Sequence, residues 1–280
     1  MIKIGSDEHK QRFCDNFVAG HEPYDPTALA WPDLDAEALA RLRAIPFWSE
    51  VLHTEWRAGA IVDAFGGMID DPQVRRAVDL QGFEEARHGQ MFCHMLQRYG
   101  IAATETPIEI GPDPYRAFAD FGYGECVDAF LGFGVFKIAQ RAAYLPEPLL
   151  AIFDKLMHEE NRHVVFFVNW MAWEQARRGR GAAGLRAIVA GYYYLRAIAR
   201  LLATVRRGRA ANGGGDFAAT EAGVFIDGFS LFELIEACCA EHDRRMQGFD
   251  RELLRPELLP RIAKAALPIL RATRRSARSR

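Results

Sequence analysis

Cysteine is scarce and unpaired in this chain of 280 residues: Cys14, Cys93, Cys126, Cys238 and Cys239 are odd in number and include no C-x-x-C pair. Neither a disulfide framework nor a cysteine zinc site follows from that spacing. No secretory leader is read, so a reducing cytoplasm is the expected compartment. An excess of either charge is also missing. With 35 Lys plus Arg against 37 Asp plus Glu, the net charge of −2 gives no global field to gather nucleic acid, which disfavours a basic binding module. No clean apolar run is long enough to span a bilayer, because the longest, around Leu185 to Val205, is interrupted by Arg186, Arg196 and Arg200. Alternating β-branched runs do not accumulate, and no flavin or nicotinamide fingerprint of the G-x-G-x-x-G type is read.

What is present is a soluble composition, 50% hydrophobic and 26% charged, punctuated for helices. Residues 1–45 mix prolines, aromatics and charges and read as a wrapping arm, with one short helix from Asp33, as its cap, to Ala44. Trp48, Val51, Leu52, Ala58, Gly59 and Val62 recur at spacings of three and four and predict a first long helix from Phe47 to Met68. Asp71-Pro72 starts a second, running to about Tyr99 and antiparallel to the first. A connection bearing Pro107, Pro112 and Pro114 leads to a third helix, Tyr115–Tyr144, and Pro146 and Pro148 precede a fourth that ends near Arg178. Two more helical stretches follow, Leu185–Arg207 and Thr220–Gly248, split by Asn212-Gly-Gly-Gly215. The last residues, 271–280, form a basic tail expected to be disordered. The fold class is all-α: an arm (1–45), a four-helix bundle (46–180), C-terminal helices packed on it (181–270) and the tail.

One pattern occurs twice, Glu84-Glu85-Ala86-Arg87-His88 on the second helix and Glu159-Glu160-Asn161-Arg162-His163 on the fourth. Positions i and i+3 share a helix face, so Glu85 with His88, and Glu160 with His163, can each aim at one spot. A doubled Glu-x-x-His on facing helices, with one carboxylate from each remaining helix, is the ligand set of a dinuclear metal site in a bundle. The first helix offers Glu55, which lies as far before the turn at Asp70 as Glu85 lies after it, on the apolar stripe where an unpaired carboxylate is expensive. Glu50 faces solvent. On the third helix Glu125 and Asp128 share a face; Glu125 is preferred because a longer carboxylate can change its binding mode. If Asp128 ligates instead, the two exchange roles. His53, His94 and His158 are not read as ligands, and Glu241-His242 reads as polar surface.

These residues resemble the oxygen-activating branch of the ferritin-like superfamily, which includes the soluble acyl-carrier-protein desaturases, the bacterial multicomponent hydroxylases and the arylamine N-oxygenases. The resemblance runs from about Trp48 to Trp173 and rests on the two motifs. It implies a ferritin-like four-helix bundle holding two iron ions, with manganese beside iron left open, on Glu55, Glu85, His88, Glu125, Glu160 and His163. It further implies that Glu84 and Glu159 hydrogen-bond the ligand histidines, that Arg87 and Arg162 pair with those acids, and that Asp128 is an outer acceptor. The N-oxygenases carry another ligand His four residues before the second motif's Glu; here Leu156 stands there. The implied activity is O2-dependent oxidation of a small organic substrate, apolar or aromatic, fed by an external ferredoxin or reductase. The alternatives are a ferritin-like iron-storage or peroxide-detoxifying protein, and a scaffold that keeps the metal for stability. A nucleic-acid partner is not expected, and a homodimer is compatible with the sequence.

Gly122, Gly124, Gly132 and Gly134 in the third helix cost about 1 kcal/mol each against alanine. Two accounts fit: close helix packing, or a phenylalanine-lined substrate cavity beside Glu125. The stretch Leu185–Arg207 has an arginine edge and is read as covering the bundle in preference to lying on a membrane.

Overall fold

A computed structural model describes residues 2–104, 106–211 and 230–278, and every regular element among them is helical. The helices are α1 (Asp7–Ala19), α2 (Ala36–Ala44), α3 (Trp48–Gly66), α4 (Pro72–Arg98), α5 (Pro114–Arg141), α6 (Glu147–Arg177), α7 (Ala183–Ala211), α8 (Leu231–Met246) and α9 (Leu258–Arg278), with a 3-10 turn at Pro26–Ala28. The starts are chemically marked. Asp71 accepts from the backbone N–H groups of Gln73 and Val74 ahead of Pro72, and Asp113 accepts from that of Arg116 ahead of Pro114. In both, a proline fills the first helical position, where its missing N–H costs nothing. The predicted Asp33 cap is corrected to Asp35, whose side chain accepts from Ala38 N–H.

Helices α3 to α6 close a ring in which α3 packs on α4 and α5, and α6 packs on α5 and α4. The α3–α4 pair is antiparallel: Gly66 meets Val78, Val62 meets Gly82, Gly59 meets Ala86 and Trp56 meets Gly89. That register sits about one helical turn later than the one centred on Asp70, because residues 67–71 form the turn and α4 begins only at Pro72. Glu55 therefore stands opposite His88. Two apolar clusters fill the ring, one containing Phe65, Phe118, Phe166 and Trp170, the other Trp48, Met91, Met95 and Leu149. Between them lies a layer of buried charge, and that layer carries both motifs.

The arm is more ordered than its composition predicts. Ser6 caps α1, whose His9, Phe13 and Phe17 recur at spacing four and are buried, with Phe13 and Phe17 both against Phe166. The helix predicted at Thr220–Gly248 is described from Leu231; residues 220–229 lie outside the described residues, as do Asn212–Gly215. The basic tail, expected to be disordered, continues α9 as a helix to Arg278, since extending a formed helix costs far less than starting one. The string Gly179-Arg-Gly-Ala-Ala-Gly184 does spell G-x-G-x-x-G, but it joins α6 to α7, helix to helix, and lacks the strand that a dinucleotide site needs. Among the described residues no helix is long and apolar enough to cross a membrane.

Candidate metal centre

The two motifs meet across the ring. His88 Nδ1 lies 3.3 Å from Glu55, 3.1 Å from Glu160 and 3.7 Å from Glu85. His163 Nδ1 lies 3.1 Å from Glu85 and 3.7 Å from Glu160. Each of the two motif glutamates thus touches both imidazoles, whose rings are 5.6 Å apart. Glu55, Glu85, His88 and Glu160 each bring one ligand atom to within 4.8 Å of the others, so this cluster could hold a metal ion. His163 stands beside it through Glu85, and Glu125 lies near enough to feel the charge of Glu160. Asp128, the alternative on α5, points to solvent. His158 is exposed.

The outer layer is wired between helices. Glu84, on α4, accepts from His163 Nε2 at 2.9 Å and from Arg162 at 2.8 Å, both on α6. Glu159, on α6, accepts from His88 Nε2 at 2.8 Å and from Arg87, both on α4. Each acid serves the other motif's histidine and arginine. All six side chains are buried. With each Nε2 held by a carboxylate, the Nδ1 faces inward, the arrangement that fixes a ligating imidazole.

Sequence reasoning missed the contribution of the arm. His21 Nδ1 lies 2.6 Å from Glu84, and Arg162 donates to the Phe17 carbonyl at 2.6 Å. On the other half Tyr24 donates to Glu159 at 3.1 Å, Arg87 donates to the Glu22 carbonyl at 3.2 Å, and the Arg87 guanidinium lies over the Tyr24 ring. Residues 17–24 therefore strap both acid–arginine pairs. No spacing signal announces His21 or Tyr24. Gln81 was findable: it lies one turn before Glu85 and donates to it at 3.3 Å.

No protein-family model, no curated protein and no solved structure matches this chain. The chemistry rests on the geometry alone. His88 Nδ1, His163 Nδ1 and Glu160 Oε2 are buried without a hydrogen-bond partner, and so, in the layer around them, are Gln81 Oε1 and the Nε atoms of Arg87 and Arg162, a costly arrangement for buried polar atoms. Lone pairs from carboxylates and imidazoles converge with too few donors between them, which is the electrostatic condition that a divalent cation relieves. The donor set, two imidazoles with carboxylates, suits iron, manganese or zinc.

In the metal-free chain protons do that work instead. Burial pushes the Glu55 carboxyl up to about 7 against the opposing pull of His88. Burial and the charge of Glu160 raise Glu125 well above the carboxylate range. Glu160 goes the other way: burial opposes its charge, but His163 and His88 hold it well below its ordinary value. Burial works against charging both imidazoles. The carboxylates around them still raise each well above the histidine range, Glu159 foremost for His88 and Glu85 for His163.

Exposure grades across the site. His88, His163, Glu84 and Glu85 are sealed, whereas Glu55 keeps 13% of its side chain accessible, Glu160 9%, and Asp128 lies open. Asp128 is open to solvent yet ringed by protein, and partial desolvation followed by the charge of Glu160 raises its carboxyl to about 6. The glycines of α5 divide between the two accounts. A Cβ on Gly122 would strike the Phe167 ring and one on Gly134 would strike Cys238, so those two serve close packing. Gly132 has nothing within 4 Å. It lies one turn beyond Asp128, on the open side of the site.

Glu241 and His242, expected on the surface, are buried in α8. Arg244 and Arg245 neutralise Glu241, and Arg245 also pairs with Asp154.

Proposed function

We propose that the chain is a ferritin-like dinuclear iron protein that uses O2 to hydroxylate, desaturate or otherwise oxidise a small organic substrate. The observation that supports this most is the pair of buried, unpartnered Nδ1 atoms facing shared carboxylates. Glu85 and Glu160, each touching both imidazoles, would hold the ions together with His88, Glu55, His163 and Glu125. Two iron ions, or iron with manganese, would supply the redox change and Lewis acidity.

The chain's own residues do the rest. Glu84 and Glu159 orient the imidazoles so that each Nδ1 faces the shared carboxylates, and the arm residues 17–24 close the histidine side to water. Glu55, Glu125 and Asp128 mark the opposite side, where solvent reaches the carboxylates and an apolar or aromatic substrate would approach. Asp128, with its carboxyl raised to about 6, would exchange a proton there in mildly acidic solution. Electrons would come from a separate ferredoxin or reductase.

A second reading, iron storage or peroxide detoxification, is favoured by the packing role of Gly122 and Gly134, which removes two of the four glycines from any cavity. The test is the rate at which O2 oxidises the Fe(II)-loaded protein with and without a panel of fatty acyl and aromatic compounds. Oxidation coupled to a product supports the oxygenase. Oxidation that is indifferent to every compound and deposits ferric mineral, or that runs faster with peroxide, supports the second reading.

A further inference from the structure

The C-terminal helices carry a surface that the metal centre does not explain. Helix α7 turns Tyr194 and Ala197 inward and packs on α5. Its opposite face exposes Leu185, Ile188, Tyr192, Leu195 and Leu202, with Ile188 and Leu195 each 70% accessible. These positions fall in one stripe at helical spacing. Arg196 and Arg200 run along one edge, half exposed and tethered from below by Asp120. Across its whole length α7 has six arginines and no acidic residue.

Helix α9 repeats the composition. It exposes Leu258, Ile262 and Ile269, and contains five arginines, one lysine and no acid. Together the two helices hold twelve of the 35 cationic residues and none of the 37 acidic ones, in a chain whose net charge is −2. The segregation is local, invisible in the net charge.

Asp120, Glu236, Asp243 and Glu257, on neighbouring segments, pair with five of the twelve cations, which leaves an excess of positive charge around the two helices. A stripe of large apolar side chains set in that excess has two candidate covers of different chemistry. A second copy pairing antiparallel through the same stripe would bring arginine edge against arginine edge, with only the Asp120 beneath each edge to offset them. An anionic lipid surface presents the opposite charge and an apolar interior at the depth such side chains reach. We infer that α7, assisted by α9, seats the protein on an anionic membrane surface, with Ile188, Tyr192 and Leu195 entering the headgroup boundary. The helices lie on the bilayer and do not cross it.

The experiment is co-sedimentation of the full-length, metal-loaded protein with vesicles of phosphatidylcholine alone or mixed with phosphatidylglycerol, at low and at physiological salt. Binding to the mixed vesicles, with at least about tenfold less to phosphatidylcholine and weakening as salt rises, is expected. The double variant I188E/L195E should lose about a hundredfold in partition, each buried aliphatic side chain accounting for roughly tenfold, while helicity and metal content stay as in the wild type. I262E/I269E reports the share of α9. Equal binding to both vesicle types, no binding to either, or binding unchanged in I188E/L195E would overturn the inference. So would a vesicle-free dimer, seen by sedimentation velocity, that I188E/L195E splits into monomers, since the second copy would then be the cover.

Discussion

Replacing Glu84 by Gln probes the cross-helix wiring of the outer layer. Glu84 is fully buried and accepts from three donors, His163, Arg162 and His21. The amide keeps one acceptor oxygen, so at least one donor to the former carboxylate is stranded. A hydrogen bond to a charged group contributes about 1.5–3 kcal/mol, so the variant should lose about 2–5 kcal/mol of metal-free stability. The informative quantity is how that loss couples to each histidine. His88 lies on the same helix as Glu84 at i+4, where a reading from helical spacing alone would pair them. The structure pairs Glu84 with His163 on α6 and gives His88 to Glu159. A double-mutant cycle measured by urea unfolding of the metal-free protein separates the two. Glu84→Gln with His163→Ala should show a coupling of about 1–3 kcal/mol, while Glu84→Gln with His88→Ala should be additive within about 0.5 kcal/mol. The mirror cycle, Glu159→Gln with His88→Ala, should couple. Coupling of Glu84 to His88 that equals or exceeds its coupling to His163 would refute the wiring.

Other outcomes follow from the same geometry. Gly134→Leu must push into Cys238 and should cost about 1–3 kcal/mol, lowering Tm by several degrees, whereas Gly132→Leu enters open space, relieves the glycine's helix penalty and should raise Tm slightly with metal content unchanged; equal losses would put both glycines in the packing class. Metal uptake should release protons, because His88 and His163 are held protonated in the metal-free chain and a ligand imidazole must be neutral. Apparent affinity should therefore rise at least about tenfold per pH unit between pH 6 and 8, measured by chelator competition, and a flat profile would contradict the reading. Tyr24→Phe removes one hydrogen bond to Glu159 while Arg87 and His88 remain, so it should weaken metal affinity by less than Glu159→Gln does, which for an outer partner is on the order of 10- to 100-fold; the reverse order would place the arm, and not the acid, in control.

The helical class and the convergence of the two motifs were legible because they depend on spacing within one helix. Glu-x-x-His needs only the i, i+3 rule, and helix starts at Asp71-Pro72 and Asp113-Pro114 announce themselves chemically. The loop-centred register missed by about one turn, yet still selected Glu55, because the next face-matched position on α3 is a turn away. What the sequence hid lies between elements. The exchange of Glu84 and Glu159 across helices has no local spacing to betray it, and His21 and Tyr24 act through a stretch with no period at all. Two misses were avoidable. His9, Phe13 and Phe17 form a helical stripe in the arm, and Glu241 carries Arg244 and Arg245 at i+3 and i+4, the partners that permit its burial. Gly132 and Gly134, two residues apart, point to different surroundings, which composition cannot distinguish.

The central claim is a dinuclear site built by two exchanged motifs, and metal stoichiometry tests it most directly. After anaerobic titration with Fe(II) and removal of loosely held ions, the wild-type chain should hold about two iron ions. Glu85→Ala and Glu160→Ala, each removing a carboxylate that touches both imidazoles, should lose paired binding, and His158→Ala, altering an exposed side chain, should keep it. A wild-type plateau at one ion or none, or a His158→Ala variant that loses the metal while His163→Ala retains it, would contradict the account.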